Sequence, residues 1–195
     1  MKSLAHSLPN PKQPTNSYLP DFTAKKVEDI DFTQLHELGV KHLLFDLDQT
    51  LRSPYTRRLH PGIVSLLVSV RTSNQFDSIC LVSNNQRNIS RYSEPIGARI
   101  FQPFRLGWRL IRKPNPLFFN KVLADLGAKP TETVMVGDRL HADVLGGNRM
   151  GMYTIYIGKR GPIDYWFDWL LLTRLRDKRR LNEALSLYRK QKRRK

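Results

Sequence analysis

Short apolar runs at 41–46, 78–82, 99–101, 133–136 and 153–157 alternate along the chain with stretches of helical periodicity at 63–70, 87–94, 115–126 and 142–149. Strands this short, rich in Val, Ile and Leu and separated by helices, predict a parallel sheet covered on both faces, the α/β class. A further helix is predicted over 30–38, with Asp31 as its N-cap and Gly39 where it would end. No internal repeat competes with this single alternating pattern.

In open parallel sheets ligands bind beyond the carboxyl ends of the strands, so the residues that close each apolar run are where chemistry belongs. The first run ends in Asp46-Leu-Asp48-Gln-Thr50, the second in Ser83-Asn84-Asn85, and the run at 133–136 in Gly137-Asp138, with Asp143 five residues later. Two carboxylates at i and i+2 beside a chain turn can divide labour, one attacking and the other moving a proton. Four converging carboxylates repel one another, and a hard, oxygen-seeking cation such as Mg2+ relieves that repulsion. Carboxylate-held metal suits phosphate substrates, for which Ser83 offers a hydroxyl and Lys113 a fixed cation just ahead of the helix at 115–126. His141, in the same loop as Asp143, reads as a surface histidine.

These residues resemble the haloacid dehalogenase (HAD) superfamily of aspartate-nucleophile phosphotransferases. Its four motifs stand in order as LLFDLDQTL, ICLVSN, the lysine of RKP, and VGDRLHAD, between residues 41 and 143. The resemblance implies a Rossmann-like HAD fold, a parallel sheet flanked by helices. It makes Asp46 the nucleophile and Asp48 the general acid and base, with Lys113 holding the charge. Ser83, Asn84 and Lys113 would bind the phosphoryl group while Thr50 braces the loop. Mg2+ would be held by Asp46, by Asp48 through its backbone carbonyl, by Asp138, and by Asp143 in support. Only 34 residues separate Asp48 from Ser83 and 29 separate Ser83 from Lys113, which leaves no room for a cap domain. An uncapped site suits a phosphate that projects from something large.

The lead-in before the first motif, the RKPNP segment and GDRLHADVLGGNRMG are similar to the YqeG branch of HAD subfamily IIIA, over roughly residues 18–180. That branch includes phosphatidylglycerophosphate phosphatases, so the likeness implies phosphomonoester hydrolysis in phosphatidylglycerol synthesis. The chain departs from the branch at Gln49, Arg139 and Ala142, where Asn, Gln and Thr are usual. None of the three replaces a catalytic carboxylate.

Charge bears on the partner. The chain carries a formal +16, and residues 174–195 contain eleven Lys or Arg against Asp177 and Glu183 alone. So dense a tail favours a polyanion, and charge leaves two open: an anionic membrane surface, or nucleic acid with a substrate on polynucleotide ends. Trp166 and Trp169, in an aromatic segment just ahead of the cations, suit a helix lying in a membrane interface. Four prolines in residues 1–20 predict a mobile arm, followed by the phosphatase domain over 21–160 and a basic aromatic helix and tail over 161–195. No apolar run is long enough to span a bilayer, and a cytoplasmic protein, peripheral on the inner face of the membrane, is expected. The single cysteine, Cys80, falls inside an apolar run and reads as a buried, inert side chain.

Overall fold

The computed structural model describes residues 2–3, 12–53, 55–158 and 173–192. Its strands are β1 (Lys2–Ser3), β2 (Phe22–Ala24), β3 (His42–Phe45), β4 (Ser78–Val82), β5 (Arg99–Phe101), β6 (Phe104–Leu106), β7 (Arg109–Ile111), β8 (Thr133–Gly137) and β9 (Tyr153–Ile157). The helices are α1 (Phe32–Glu37), α2 (Pro61–Thr72), α3 (Ser90–Ser93), α4 (Pro116–Leu126), α5 (Leu145–Met150) and α6 (Thr173–Lys192). Seven strands form one sheet in the order β1-β2-β9-β8-β3-β4-β5, and β6 and β7 form a separate hairpin. Every pairing from β2 to β5 is parallel, and only the two-residue β1 adds an antiparallel edge.

The central strands are buried on both faces, which is why their sequences run apolar without alternation. Leu43 and Phe45 of β3, Ile79 and Leu81 of β4, and Val134 and Val136 of β8 face a core completed by Leu35, Ile63, Leu67 and Val70 of α1 and α2. Leu44, Cys80, Val82 and Met135, the intervening residues, face a second core with Phe118, Phe119, Val122 and Leu123 of α4. Cys80 is fully buried, and burial pushes its thiol up to about 11, so it stays protonated and inert.

Local signals set several helix ends. Asp31 accepts from the Gln34 amide at the start of α1, and Asn115 from the Leu117 amide ahead of Pro116 at the start of α4. Elsewhere the structure departs from expectation. The helix predicted over 87–94 is only α3 and a short 3-10 turn at Glu94–Ile96. Asn85 and Asn88 turn their side chains onto the amides of Arg87 and Ser90, which draws the backbone into turns instead. The helix predicted over 142–149 opens with a π-turn at Leu140–Val144 before α5 begins. Neither β2 nor the β6–β7 hairpin is read as strand from the sequence; each piece has three residues with no run of apolar side chains to mark it.

Residues 12–20, expected within a mobile arm, are fastened to the sheet. The Lys12 ammonium donates to Asp21, to Asn148 Oδ1 at 2.7 Å and to the Met152 carbonyl at 2.7 Å. Asn148 in turn donates to the carbonyls of Ser17 and Leu19. The cause is a single buried charge: Asp21 also accepts from the Thr154 amide at 2.8 Å, and its burial calls for a cation. Burial draws the Lys12 ammonium below its ordinary pKa against the opposing pull of Asp21. The aromatic segment with Trp166 and Trp169, and the last three residues of the basic tail, lie outside the described residues.

Lys12→Met would strand the Asp21 carboxylate in the interior. It is expected to lower unfolding free energy by about 3 kcal/mol, measured by urea denaturation, whereas a loss under about 1 kcal/mol would mean that water replaces the ammonium.

Candidate active site

Sheet register assembles the site. Phe45 pairs with Val136 on one side and with Leu81 on the other, so Asp46, Gly137-Asp138 and Ser83 emerge at adjacent strand ends. Neighbouring strands lie about 4.8 Å apart, close enough for side chains leaving three such ends to meet. The Asp46 amide donates to the Val136 carbonyl at 2.9 Å, continuing the ladder one residue beyond β3.

At the centre lies Lys113. Its ammonium donates to Asp46 Oδ1 and to Asp143 Oδ1, each at 2.7 Å. Asn84 fixes the lysine backbone from both sides, accepting from its amide and donating to its carbonyl, each at 3.0 Å. Asp143 is held further by the Arg139 amide at 3.1 Å, so it sits inside the π-turn rather than capping a helix. Asp46, Asp138 and Asp143 present carboxylate oxygens within 4.8 Å of one another. This all-oxygen donor set fits a hard divalent cation.

The electrostatics follow from burial. Desolvation pushes the Asp46 carboxyl up to about 6, the Lys113 ammonium opposes that rise, and Asp143 adds to it. Lys113 stands above its ordinary pKa: burial pulls it down, but Asp143 and Asp46 together outweigh burial. The side chains of Lys113 and Asp143 are each 1% exposed and that of Asp46 is 12%, so Asp46 is the one among them that meets an incoming group.

Asp48 turns away from this cluster to an ion pair with Arg52. The Arg52 guanidinium also donates to the Thr56 carbonyl at 2.7 Å and lies 4.6 Å from the centre of the Tyr92 ring. The turn between them closes through Gln49 N to Arg52 O at 2.7 Å, with Gln49 at φ 67°. Left-handed backbone favours Asn over Gln, so the departure noted at Gln49 strains this turn. Thr50 is fully buried within it. Ser83, 2% exposed, receives the Asn85 amide on its hydroxyl at 3.2 Å. His141 is exposed, as expected, and stacks on Tyr18 at 6.3 Å, while Arg180 of α6 covers the other ring at 4.9 Å. The basic helix α6 thus packs on the Leu140–Val144 turn beside Asp143.

Two contributors escaped the sequence reading. Arg52 could have been noticed as a cation four residues after Asp48. Gly137 had no such signal: a Cβ there would lie 2.1 Å from Asp143 Oδ2, because the carboxylate packs directly on the strand end.

A family model described as HAD-hydrolase-like matches residues 110–161. The probable phosphatase YqeG of Bacillus subtilis (strain 168) is 33% identical over 141 residues, covering 72% of this chain and 77% of that protein. The chain belongs to the HAD superfamily of hydrolases. It is a HAD-type phosphatase, a phosphoric monoester hydrolase. Phosphatidylglycerophosphate phosphatase 1 (chloroplastic/mitochondrial) of Arabidopsis thaliana is 28% identical over 140 residues, and this chain covers 40% of its length. A solved structure of an uncharacterized protein from Listeria monocytogenes serotype 4b has a TM-score of 0.50 at 22% identity, covering 69% of this chain and 99% of that one. That likeness is one of fold alone.

Gly137→Ala is expected to push Asp143 off the strand end and, through it, Lys113. A displacement of about 1 Å would cost roughly 10²-fold in kcat/KM on a soluble phosphate ester. Unchanged kinetics would show that Asp143 has room to move without consequence.

Proposed function

We propose that this HAD phosphatase hydrolyses phosphomonoesters through an aspartyl-phosphate on Asp46, and that its substrate is a phosphate carried on a lipid headgroup, as in phosphatidylglycerophosphate. The observation that carries the reading is the Lys113 ammonium bonded at 2.7 Å to both Asp46 and Asp143, with Asp138 in the same cluster. That bond aims one Asp46 oxygen and leaves the second for attack.

In the first step an Asp46 oxygen attacks phosphorus and the bond from phosphorus to the ester oxygen breaks. Asp48 gives its proton to the leaving oxygen. In the second, water attacks the phosphoryl group, Asp48 takes the proton, and the bond to Asp46 breaks to release phosphate. Lys113, Ser83 and Asn84 hold the phosphoryl oxygens, and Thr50 braces the turn. Asp48 is ion-paired with Arg52, and that pair would open for Asp48 to carry the proton. Mg2+, held by Asp46, Asp138 and the Asp48 carbonyl with Asp143 in support, would neutralise charge on the transferred oxygens.

The lipid assignment draws on the likeness to the phosphatidylglycerophosphate phosphatase of Arabidopsis thaliana and on the cationic α6 lying beside Asp143. No helix among the described residues is long and apolar enough to cross a membrane, so such a substrate would be met at the bilayer surface. Assay of the purified protein on vesicle-embedded phospholipid phosphate, nucleotides and polynucleotide ends tests the reading. A clear preference for polynucleotide ends would overturn the lipid assignment.

Asp46→Asn is expected to lower kcat by at least 10³-fold, since an amide does not attack phosphorus; retention of more than about a tenth would remove Asp46 as nucleophile. Asp48→Asn should slow phospho-enzyme formation far more with an alkyl ester than with a nitrophenyl ester, because nitrophenolate leaves without a proton. Equal losses on both esters in quenched-flow trapping would reduce Asp48 to a positioning group. Mg2+ at about 100 times its Kd is expected to stabilise the fold by roughly 2.7 kcal/mol, read as a rise in Tm that Asp138→Asn removes. A Tm indifferent to Mg2+ would count against a metal at these carboxylates.

A further inference from the structure

Three of the five large apolar side chains left exposed among the described residues fall in the segment that carries Lys113. The five are Tyr55, in the loop after Asp48, then Leu106, Trp108 and Leu117, in the segment that carries Lys113, and Leu175 of α6. Trp108 is 86% exposed and Leu106 58%. Both stand at the tip of the β6–β7 hairpin, whose register pairs Phe104 with Ile111, Arg105 with Leu110 and Leu106 with Arg109. Phe104 and Ile111 at the base pack into the core beneath α4, so the core grips the base and leaves the tip outside. Gly107, at φ 59°, makes the two-residue turn that sets Trp108 at the apex.

Cations flank this hairpin, Arg105 and Arg109 near its tip and Arg112 just past its base. Arg105, Arg109 and Arg112 are exposed, and the Arg109 guanidinium lies 5.7 Å from the centre of the Trp108 ring. No Asp or Glu occurs between Glu94 and Asp125. An indole and an aliphatic side chain at an exposed hairpin tip, with Arg105 and Arg109 beside them, match the chemistry of a bilayer interface: the rings sit at headgroup depth and the cations meet lipid phosphates. Single-stranded nucleic acid is bound differently, in grooves where bases stack on aromatic platforms, and Leu106 and Leu117 offer no stacking face. Position adds to the argument. Lys113 stands five positions after Trp108, a span of at most about 17 Å.

We propose that the β6–β7 hairpin inserts Leu106 and Trp108 into the surface of an anionic bilayer and thereby holds the active site against the headgroup layer. The inference rests on the lipid-phosphate reading above and gives it a docking element separate from α6 and the basic tail. Through the short connection to Lys113, the depth of the tip sets the height of the reacting groups above the bilayer. Arg112, next to Lys113, then faces the headgroups themselves.

The test uses full-length protein carrying Trp166→Phe and Trp169→Phe, which leaves Trp108 as the sole tryptophan. With mixed phosphatidylcholine–phosphatidylglycerol vesicles, Trp108 emission should shift to the blue and be quenched by brominated acyl chains. Pure phosphatidylcholine vesicles and a single-stranded RNA should produce neither change. Leu106→Ser with Trp108→Ser, in the otherwise native chain, should weaken vesicle binding about tenfold and slow turnover of vesicle-embedded phospholipid phosphate, while nitrophenyl phosphate hydrolysis stays within about twofold. If vesicles bind but Trp108 emission stays unshifted and unquenched, another surface docks and the proposal falls. It falls too if Trp108 responds to RNA and not to vesicles. Quenched Trp108 without turnover of any lipid phosphate would uphold the hairpin and overturn the substrate reading instead.

Discussion

Three carboxylates share a small, largely dehydrated space in this protein because one ammonium lies among them. Like charges within 4.8 Å repel by roughly 3 kcal/mol or more even at an effective dielectric near 20. Lys113 offsets part of this by bonding Asp46 and Asp143 at once, and it is placed by Asn84, which clamps its backbone from the end of β4. Four elements therefore depend on one side chain: β3 and β8 supply acids, the turn at Leu140–Val144 supplies a third, and β4 orients the base through Asn84. Burial, with a smaller push from Asp143, raises Asp46 to about 6, and the excess of negative charge that Lys113 leaves is why a divalent cation suits the cluster.

The arrangement has a structural cost that the sheet absorbs. Polar groups at strand ends are shielded from the core by the two apolar layers, so the acids collect only where the parallel strands stop. With β3 central and β8 and β4 on either side, no long loop is needed to bring the groups together. The precision comes from register. A one-residue slip of β8 would bury Asp138 in the wrong face and take Gly137 from under the Asp143 carboxylate.

Much of this was legible in the sequence because strand-end residues announce themselves. Asp46, Asp138 and Lys113 each follow an apolar run or precede a helix start, and those local boundaries placed them on one side of the sheet before any contact was known. What escaped depends on distance along the chain or on competition between local choices. The Lys12 bond to Asn148 spans 136 residues, and no local pattern records it. The helix read over 87–94 failed because two asparagine side chains satisfy backbone amides more readily than helix does there. Arg52 reaches Asp48 only once the turn at Gln49 has closed, a conformation that glutamine adopts reluctantly. The hairpin was missed for the opposite reason: its strands are too short to show a period, and its one signal, Gly107 before Trp108, reads equally as any loop.

The separation of charge within the molecule bears on how a substrate is chosen. The clustered acids Asp46, Asp138 and Asp143 are inward and buried, whereas, in a chain of formal charge +16, Arg105, Arg109 and Arg112 around the hairpin and Arg176 and Arg179 of α6 are exposed. A polyanionic surface is therefore attracted at long range by groups that take no part in the chemistry, and that attraction weakens as salt shortens its reach to about 8 Å at physiological strength. Between Ser83 and Lys113 the described elements are short: α3 with its 3-10 turn, the edge strand β5 and the β6–β7 hairpin. For a phosphate carried on a lipid, as proposed, discrimination would come from what the phosphate is attached to and from how that body meets the surface around the site. Under that proposal selectivity is gained by docking the carrier of the phosphate rather than by wrapping the phosphate itself.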